Sequence, residues 1–251
     1  AYSIQQTTDG GYIVAGYTSS FGAGWEDVYV LKLNSDGSLA WQKTYGGSNY
    51  DRAYSIQQTT DGGYIVAGYT WSFGSGGCDV YILKLNSNGT LVWQKTFGGG
   101  LDDFAYSIQQ TTDGGYIVAG STNSFGAGGY DVYVLKLNSD GSLAWQKTFG
   151  GGLDDFAYSI QQTADGGYIV AGKMSGYGCV LKLDSDGSLV WQKTFGGGAA
   201  YSIQQTTDGG YIAAGYMSGD VDVLKLNSDG SLAWQKTFGG NGNDEAYSIQ
   251  Q

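Results

Sequence analysis

Residues 1–52 read AYSIQQTTDGGYIVAGYTSSFGAGWEDVYVLKLNSDGSLAWQKTYGGSNYDR, and the chain then begins the same phrase again. AYSIQQ starts at Ala1, Ala53, Ala105, Ala157, Ala200 and Ala246, at spacings of 52, 52, 52, 43 and 46 residues. Each repeat holds four short runs rich in β-branched and aromatic residues: AYSIQQ, GYIVAGYT, DVYVLKL and LAWQKTF, the last ending in Tyr45 in the first repeat. TTDGG joins the first run to the second, and NSDGS joins the third to the fourth. Asp-Gly between alternating apolar runs is a strong hairpin signal, because glycine accepts a positive φ without a Cβ clash. No segment has helical periodicity beside this. The absence of proline agrees, since proline removes a ladder donor.

Four antiparallel strands recurring every ~40–50 residues predict a β-propeller. The expected architecture is one all-β, five-bladed propeller with four antiparallel strands per blade. The expected blades are 1–52, 53–104, 105–156, 157–199 and 200–245, with a surplus first strand over 246–251. The third run supports this. Val28 and Val30 face one way while Tyr29, Leu31 and Leu33 face the other, so both faces are apolar, as a sheet packed between two neighbours requires. Trp41, Trp93, Trp145, Trp191 and Trp234 occupy one equivalent position and are expected to wedge between adjacent blades.

The whole unit resembles the tandem propeller repeats of secreted and cell-surface proteins of bacteria and archaea. The stretch LNSDGSLAWQKTFGG (137–151) resembles the tryptophan-docking repeat of quinoprotein-type propellers. The resemblance covers nearly the whole chain and implies fold more than function. The quinoprotein cofactor is not carried over: nothing matches its ligand set, and no vicinal cysteine pair exists to cover it. No cofactor is expected.

Composition narrows the function. The net charge of −11 leaves no basic stripe for phosphates, so nucleic acid is not an expected partner. No run of ~18 apolar residues is present, and no membrane insertion is expected. The sequence opens at Ala1 inside a repeat with no signal-like segment, so a secreted origin would mean a leader already removed. Glycine is abundant, at 45 residues, but an aromatic content of 15% argues for a packed core rather than disorder. Cys78 and Cys179 lack CxxC spacing and read as isolated thiols, with a disulfide as the alternative. Ten of the twelve basic residues fall at two repeated positions, Lys32 and Lys43 and their equivalents, where they are expected to snorkel over apolar neighbours. Only Arg52 and Lys173 are individual.

What varies locates a candidate site. The resemblance implies that the four runs are, in order, the inner to outer strands of a blade, and on that assignment the two short hairpins are expected to share one face. The second-to-third loops (SSFGAGWED, WSFGSGGCD, NSFGAGGYD) and the connectors (GGSNYDR, GGGLDDF twice, GGGA, GGNGNDE) share the other. Loops on a rigid scaffold usually carry binding residues. The candidates are Trp25, Glu26, Tyr50, Asp51, Arg52, Trp71, Asn123 and Tyr130, with Cys78 and Lys173 also distinctive. Aromatics beside carboxylates and amides suit a sugar or a protein surface; the plainer reading is loop packing. Asp102, Asp103, Asp154 and Asp155 are calcium candidates, since calcium takes six to eight oxygens. Without a DxDxDG-type loop, the plainer reading is that they cap backbone amides in connector turns.

A chain without histidine has no Ser-His-Asp triad and no imidazole acid–base group. Its carboxylates mostly repeat with the blades, whereas a catalytic pair would break that symmetry, so an enzyme is not expected. A non-catalytic structural or assembly module, extracellular or at the cell surface, is the leading expectation. It would polymerise by strand exchange through the surplus strand, 246–251 or 1–6, with other copies of itself or a cell-surface protein or glycan as partner. The alternative is a lectin-like, carbohydrate-binding propeller.

Overall fold

Each TTDGG segment closes its hairpin with its own side chains. In the first repeat, Gly10 takes φ +81° and donates to the Thr7 carbonyl at 2.9 Å. The Asp9 carboxylate accepts from the Thr7 hydroxyl at 2.5 Å and from the Gly11 amide at 3.0 Å. The NSDGS turns use the same device: Ser38 donates to Asp36 from its amide at 2.9 Å and its hydroxyl at 2.6 Å. Two such turns and one longer loop join four strands into an antiparallel sheet in chain order.

The computed structural model describes residues 1–251. One four-stranded sheet contains β1 (Ser3–Gln6), β2 (Tyr12–Thr18), β3 (Asp27–Leu33) and β4 (Leu39–Tyr45). A second contains β5 (Asp51–Gln58), β6 (Tyr64–Thr70), β7 (Asp79–Leu85) and β8 (Leu91–Phe97). A third contains β9 (Asp103–Gln110), β10 (Tyr116–Thr122), β11 (Asp131–Leu137) and β12 (Leu143–Phe149). A seven-stranded sheet contains β13 (Phe156–Gln162), β14 (Tyr168–Met174), β15 (Tyr177–Leu183), β16 (Leu189–Gln205), β17 (Tyr211–Met217), β18 (Asp220–Leu226) and β19 (Leu232–Phe238). In it β16 is shared: Leu189–Gly197 pairs with β15, and Gly198–Gln205 pairs with β17. The shortened connector GGGA therefore runs through as strand. No helix is long and apolar enough to cross a membrane.

The chain gathers into two bodies. The first is Ala1–Val118, Thr122–Phe125 and Lys136–Ala144; the second is Ala119–Ser121, Gly126–Leu135 and Trp145–Gln251.

In the first body, the core joins Ile13, Ala15, Val28 and Val30 of one repeat to Ile56, Tyr64, Val66, Tyr81, Leu83 and Leu85 of the next. Trp41 flanks it and meets Tyr64 edge-on at 5.9 Å between centroids. Trp93 meets Tyr116 in the same way at 5.9 Å. The indole also fixes a turn: a Cβ on Gly89, which has φ +77°, would lie 2.9 Å from the Trp41 ring. In the second body, Ile169, Ala171 and Val180 pack against Ile203, Tyr211, Ala213, Leu224 and Leu226. Trp145 and Trp191 meet Tyr168 and Tyr211, each at 5.9 Å. Trp234 alone of the five is largely open, at 43% exposure.

The repeated lysines of the third strand differ from expectation. Lys32, Lys84, Lys136 and Lys182 do not snorkel; they are buried. Each ammonium turns into its own repeat's first hairpin turn, TTDGG or in the fourth repeat TADGG, and meets the Asp there, at 3.0, 2.9, 2.9 and 2.9 Å, and Lys225 does the same at 3.0 Å. It also bonds the next carbonyl in its strand, 3.1 Å for Lys84 to Leu85. A buried ammonium persists only when paired and hydrogen-bonded, and the turn supplies both.

The first strands carry a bulge. Pairing between β5 and β6 slips between Ala53 and Ser55, and the same slip recurs at Ala157/Ser159 and Ala200/Ser202. The residue left unpaired is the tyrosine of AYSIQQ, which the bulge re-aims. Those tyrosines then touch in series: Tyr2 and Tyr54 at 5.0 Å and Tyr54 and Tyr106 at 5.5 Å in the first body, Tyr158 and Tyr201 at 5.1 Å and Tyr201 and Tyr247 at 4.9 Å in the second.

Candidate functional site

In the first body the loop 19–26, the connector 46–50 and the loop beginning at Trp71 are laced by backbone bonds. The Asp51 amide donates to the Glu26 carbonyl at 2.7 Å, and the Trp71 amide donates to the Tyr50 carbonyl at 2.8 Å. Asn49 Nδ2 donates to the Trp71 carbonyl at 3.2 Å. This brings Trp25, Glu26, Tyr50, Asp51, Arg52 and Trp71 into one neighbourhood. Trp25, 68% exposed, leans on Tyr50 with centroids 5.6 Å apart, and Trp71 is 51% exposed.

Arg52 anchors the patch. It lies in strand β5, which starts two residues before the expected Ala53, and not in a free connector. Its Nε pairs with the Glu26 carboxylate, and its guanidinium carbon stands 4.5 Å from the Tyr17 ring centroid and 6.0 Å from that of Tyr69. The Glu26 hydrogen bond, partly opposed by burial, holds the guanidinium even more firmly protonated than usual. A cation stacked on tyrosine and tied to a carboxylate is rigid.

The Asp51 carboxylate is turned inward. It is fully buried and accepts from the Thr70 hydroxyl, from Ser72 Oγ at 2.7 Å and from the Gly47 amide at 2.8 Å. Asp103 repeats this, taking the Thr122 hydroxyl, Ser124 Oγ at 2.6 Å and the Gly99 amide at 2.9 Å. Asp102 accepts the Cys78 amide at 3.0 Å. Asn123 donates its amide to the Asp102 carbonyl at 2.9 Å. In the second body, Asp155 takes the Gly151 amide at 2.9 Å and the Ser175 amide at 2.6 Å, while Asp154 takes the Tyr130 amide at 3.1 Å. Tyr130 leans on Phe156 at 5.6 Å, and Lys173 pairs in register with Phe156 across β13 and β14. The four calcium candidates thus hold loops together, and no three carboxylates or thiols gather as a metal group. Cys78 and Cys179 are both free, buried thiols.

The sequence reading passed over the hairpin face. A groove of about 330 Å³ there is lined by Asp9, Lys32, Asn34, Trp41, Gln58 and Tyr64. Its equivalent in the second body, of about 230 Å³, is lined by Asp165, Lys182, Asp184, Trp191 and Ser228. The recurring tryptophan was the visible signal. The paired Lys and Asp that complete each groove lie 23 residues apart in the first repeat.

A domain of unknown function with a β-propeller (DUF5122) matches residues 7–39 and 59–91. No curated protein matches the chain. Among solved structures, the Neurospora crassa Pan2 WD40 domain is similar with a TM-score of 0.63 at 14% identity, over 95% of this chain and 66% of that one. The Dos1 propeller gives 0.59 at 12% identity, over 94% and 62%. Chaetomium thermophilum Sqt1, bound to the N-terminus of ribosomal protein L10, gives 0.53 at 12%, over 99% and 77%. The chain spans less than two thirds of the length of the first two. Likeness at such identity shows the fold alone, an all-β propeller of antiparallel strands. A second family model covers residues 79–250, and on that match the chain belongs to the PQQ_2 family, described as outer membrane protein assembly factor BamB.

Proposed function

We propose that the chain is a non-catalytic, five-bladed propeller module of the cell exterior that associates with copies of itself by exchanging a first strand. The blades are β1–β4, β5–β8, β9–β12, β13 to the first half of β16, and the second half of β16 to β19.

One observation carries this reading. Residues 246–251 lie against repeat five as the first strand of repeat two lies against repeat one, and that of repeat five against repeat four. The Ile249 amide donates to Ser202 Oγ at 3.2 Å and the Gln251 amide to Gln204 Oε1 at 2.7 Å. The corresponding bonds, Ile56 to Ser3 at 3.2 Å and Gln58 to Gln5 at 2.7 Å, recur within the first body. Yet Ala246–Gln251 pairs with no strand, so its backbone edge is free. A free edge held in place is a template for strand addition. A low share of charged residues, abundant glycine and the lack of histidine suit an extracellular scaffold. The family description, which names an assembly factor, is in keeping with a non-enzymatic role. The test is light scattering of the purified chain with and without residues 246–251. Association of the full chain and a monomeric truncated form support the reading; monomers in both cases end it.

A lectin-like module is the second reading. The repeat-equivalent grooves beside Trp41 and Trp191 favour it, since each sets an indole next to a Lys–Asp pair and an amide or carboxylate. A glycan array tests it. Binding should survive loss of Trp25 or Trp71 and fall on loss of Trp41.

A further inference from the structure

Four of the five NSDGS-type turns carry an aspartate before their glycine, at Asp36, Asp140, Asp186 and Asp229; the second repeat carries Asn88 before Gly89. In the four, the aspartate accepts the amide and the hydroxyl of the serine two residues on. The distances are 2.9 and 2.6 Å at Asp36 and at Asp140, 3.0 and 2.6 Å at Asp186, and 2.9 and 2.6 Å at Asp229. Those donors, hydroxyl first and amide second, hold Asp36, Asp140 and Asp229 below the usual carboxylate range. Asn88 supplies the same oxygen from an amide. Its Oδ1 accepts the Thr90 amide at 2.9 Å and the Thr90 hydroxyl at 2.6 Å. The turn is thus shaped around one side-chain oxygen, and its donors favour an ionised acid there.

Asparagine before glycine is also chemically labile, because glycine puts no Cβ between its backbone nitrogen and the preceding carboxamide. Hydroxide takes the Gly89 amide proton, and the nitrogen attacks Asn88 Cγ. Asn88 Nδ2 leaves as ammonia with a proton from water, which returns the hydroxide. A further water opens the five-membered imide to an acid. One water is consumed and one ammonia released, with no change of oxidation state.

The folded turn holds the nucleophile back. The Gly89 amide donates to the Asn86 carbonyl at 3.0 Å, and Gly89 is buried against the Trp41 ring. Asn88 itself is exposed. The other Asn-Gly pair of the chain, Asn241 and Gly242, has no such cover: both residues are exposed, and nothing lies within 4 Å of a Cβ built on Gly242.

We propose that Asn88 is a modification site, a slow deamidation to aspartate whose rate is set by opening of the turn beneath Trp41 and whose product completes the fifth copy of the aspartate turn. The change also reaches a groove. Ser87 and Ser228 hold matching places in the grooves beside Trp41 and Trp191. The residue after each is Asn88 in one and Asp229 in the other. Conversion adds an anionic group at the rim of the first groove and makes the two alike. Strands β7 and β8 hold the turn's ends at the spacing of an ordinary peptide, which favours aspartate over isoaspartate with its extra backbone methylene. The inference depends on neither reading of function above.

The test holds the full chain at mildly alkaline pH and follows both sites by peptide mapping with mass spectrometry, with circular dichroism to verify the fold. Asn241 should convert first and Asn88 roughly 10-fold or more slowly, since it reacts only from the opened turn. In urea the two rates should converge. Trp41→Ser should speed Asn88 several-fold and leave Asn241 unchanged. Thr90→Ala, at an exposed position, should do the same and keeps the test valid if the first variant misfolds. Asn88→Asp should match or exceed the original chain in its urea midpoint. Equal rates at the two sites in the folded chain overturn the inference, as does an Asn88 that stays intact, or keeps its rate, in a folded variant. An isoaspartate majority at position 88, or a loss of stability in Asn88→Asp, overturns it as well.

Discussion

The Lys84 ammonium stands 2.9 Å from an Asp61 carboxylate oxygen, with the lysine side chain 7% exposed and the aspartate 63%. The two ends of this pair are unequal: the cation is inside and the anion is at the surface. Losing the anion strands a buried charge, whereas losing the cation leaves a solvated carboxylate. Asp61→Ala should therefore destabilise by about 1–3 kcal/mol, and Lys84→Met by less. Urea denaturation of the two variants and the double variant checks the order.

Acid should weaken the protein through the same turns. Asp61, Asp113 and Asp165 each sit at about 2 in the folded chain: burial pushes them up, but hydroxyl, ammonium and amide donors outweigh it. Unfolded aspartates titrate near ~3.9. A lowered folded value means stability that is present above the unfolded value and lost as pH falls through the folded one. Asp79 and Asp131 move the other way, raised mainly by burial and also by the neighbouring Asp103 and Asp155. Their contribution is present at low pH and declines as pH rises. Denaturation midpoints from about pH 7 to about pH 2 should fall steeply below ~4, and more steeply in Asp79→Asn, which lacks the opposing group.

The equivalent tryptophans should not be equivalent in energy. Trp93 packs edge-on against Tyr116, while Trp234 is 43% exposed. Trp93→Ala should cost about 2–4 kcal/mol, below the range for a fully buried indole. Trp234→Ala should cost under ~1 kcal/mol when measured on the monomer. Denaturation at submicromolar concentration separates the two.

Neither thiol should react in the native state. Cys78 and Cys179 are 0% and 1% exposed, and burial, with nearby aspartates, pushes both thiols up, Cys179 to about 12. The thiolate is the reacting form. A disulfide-exchange reagent at mildly alkaline pH should titrate no thiol in the folded chain and two after denaturation. Rapid native labelling of Cys78 would show that the loop ending at Asp79 opens readily.

The strands and their hairpins were legible because each rests on neighbours in sequence: alternation within seven residues, and Asp-Gly between runs. The wedge role of Trp41, Trp93, Trp145 and Trp191 was also legible, from recurrence alone. The burial of Lys84 was not. Its partner Asp61 lies 23 residues away, and nothing local marks a strand lysine as an inward one. Asp51 was read as a binding candidate and Asp103 as a calcium candidate, and the hydroxyls that bond them went unread for a related reason. Those hydroxyls, on Thr70 with Ser72 and on Thr122 with Ser124, come from the end of the next strand and the loop after it, about twenty residues on. The bulge at Tyr54 was overlooked, although Ala53 and Ile56, both buried, lie three residues apart, a spacing that strict alternation would send to opposite faces. The grouping of Trp25, Tyr50 and Trp71 was readable because those positions break the repeat, and departures from a repeat cluster where loops meet.

Strand β16 runs unbroken from Leu189 to Gln205 and is paired first on one side and then on the other. Elsewhere a connector separates consecutive sheets, so one can loosen while its neighbour holds. Here the outer edge of one sheet is continuous with the inner edge of the next. Amides from Tyr168 to Leu226 should therefore exchange with solvent in a single concerted opening, while Tyr64 to Leu85 can open as a smaller and separate event. Under mechanical load this stretch would act as one fuse where the sequence counts two repeats.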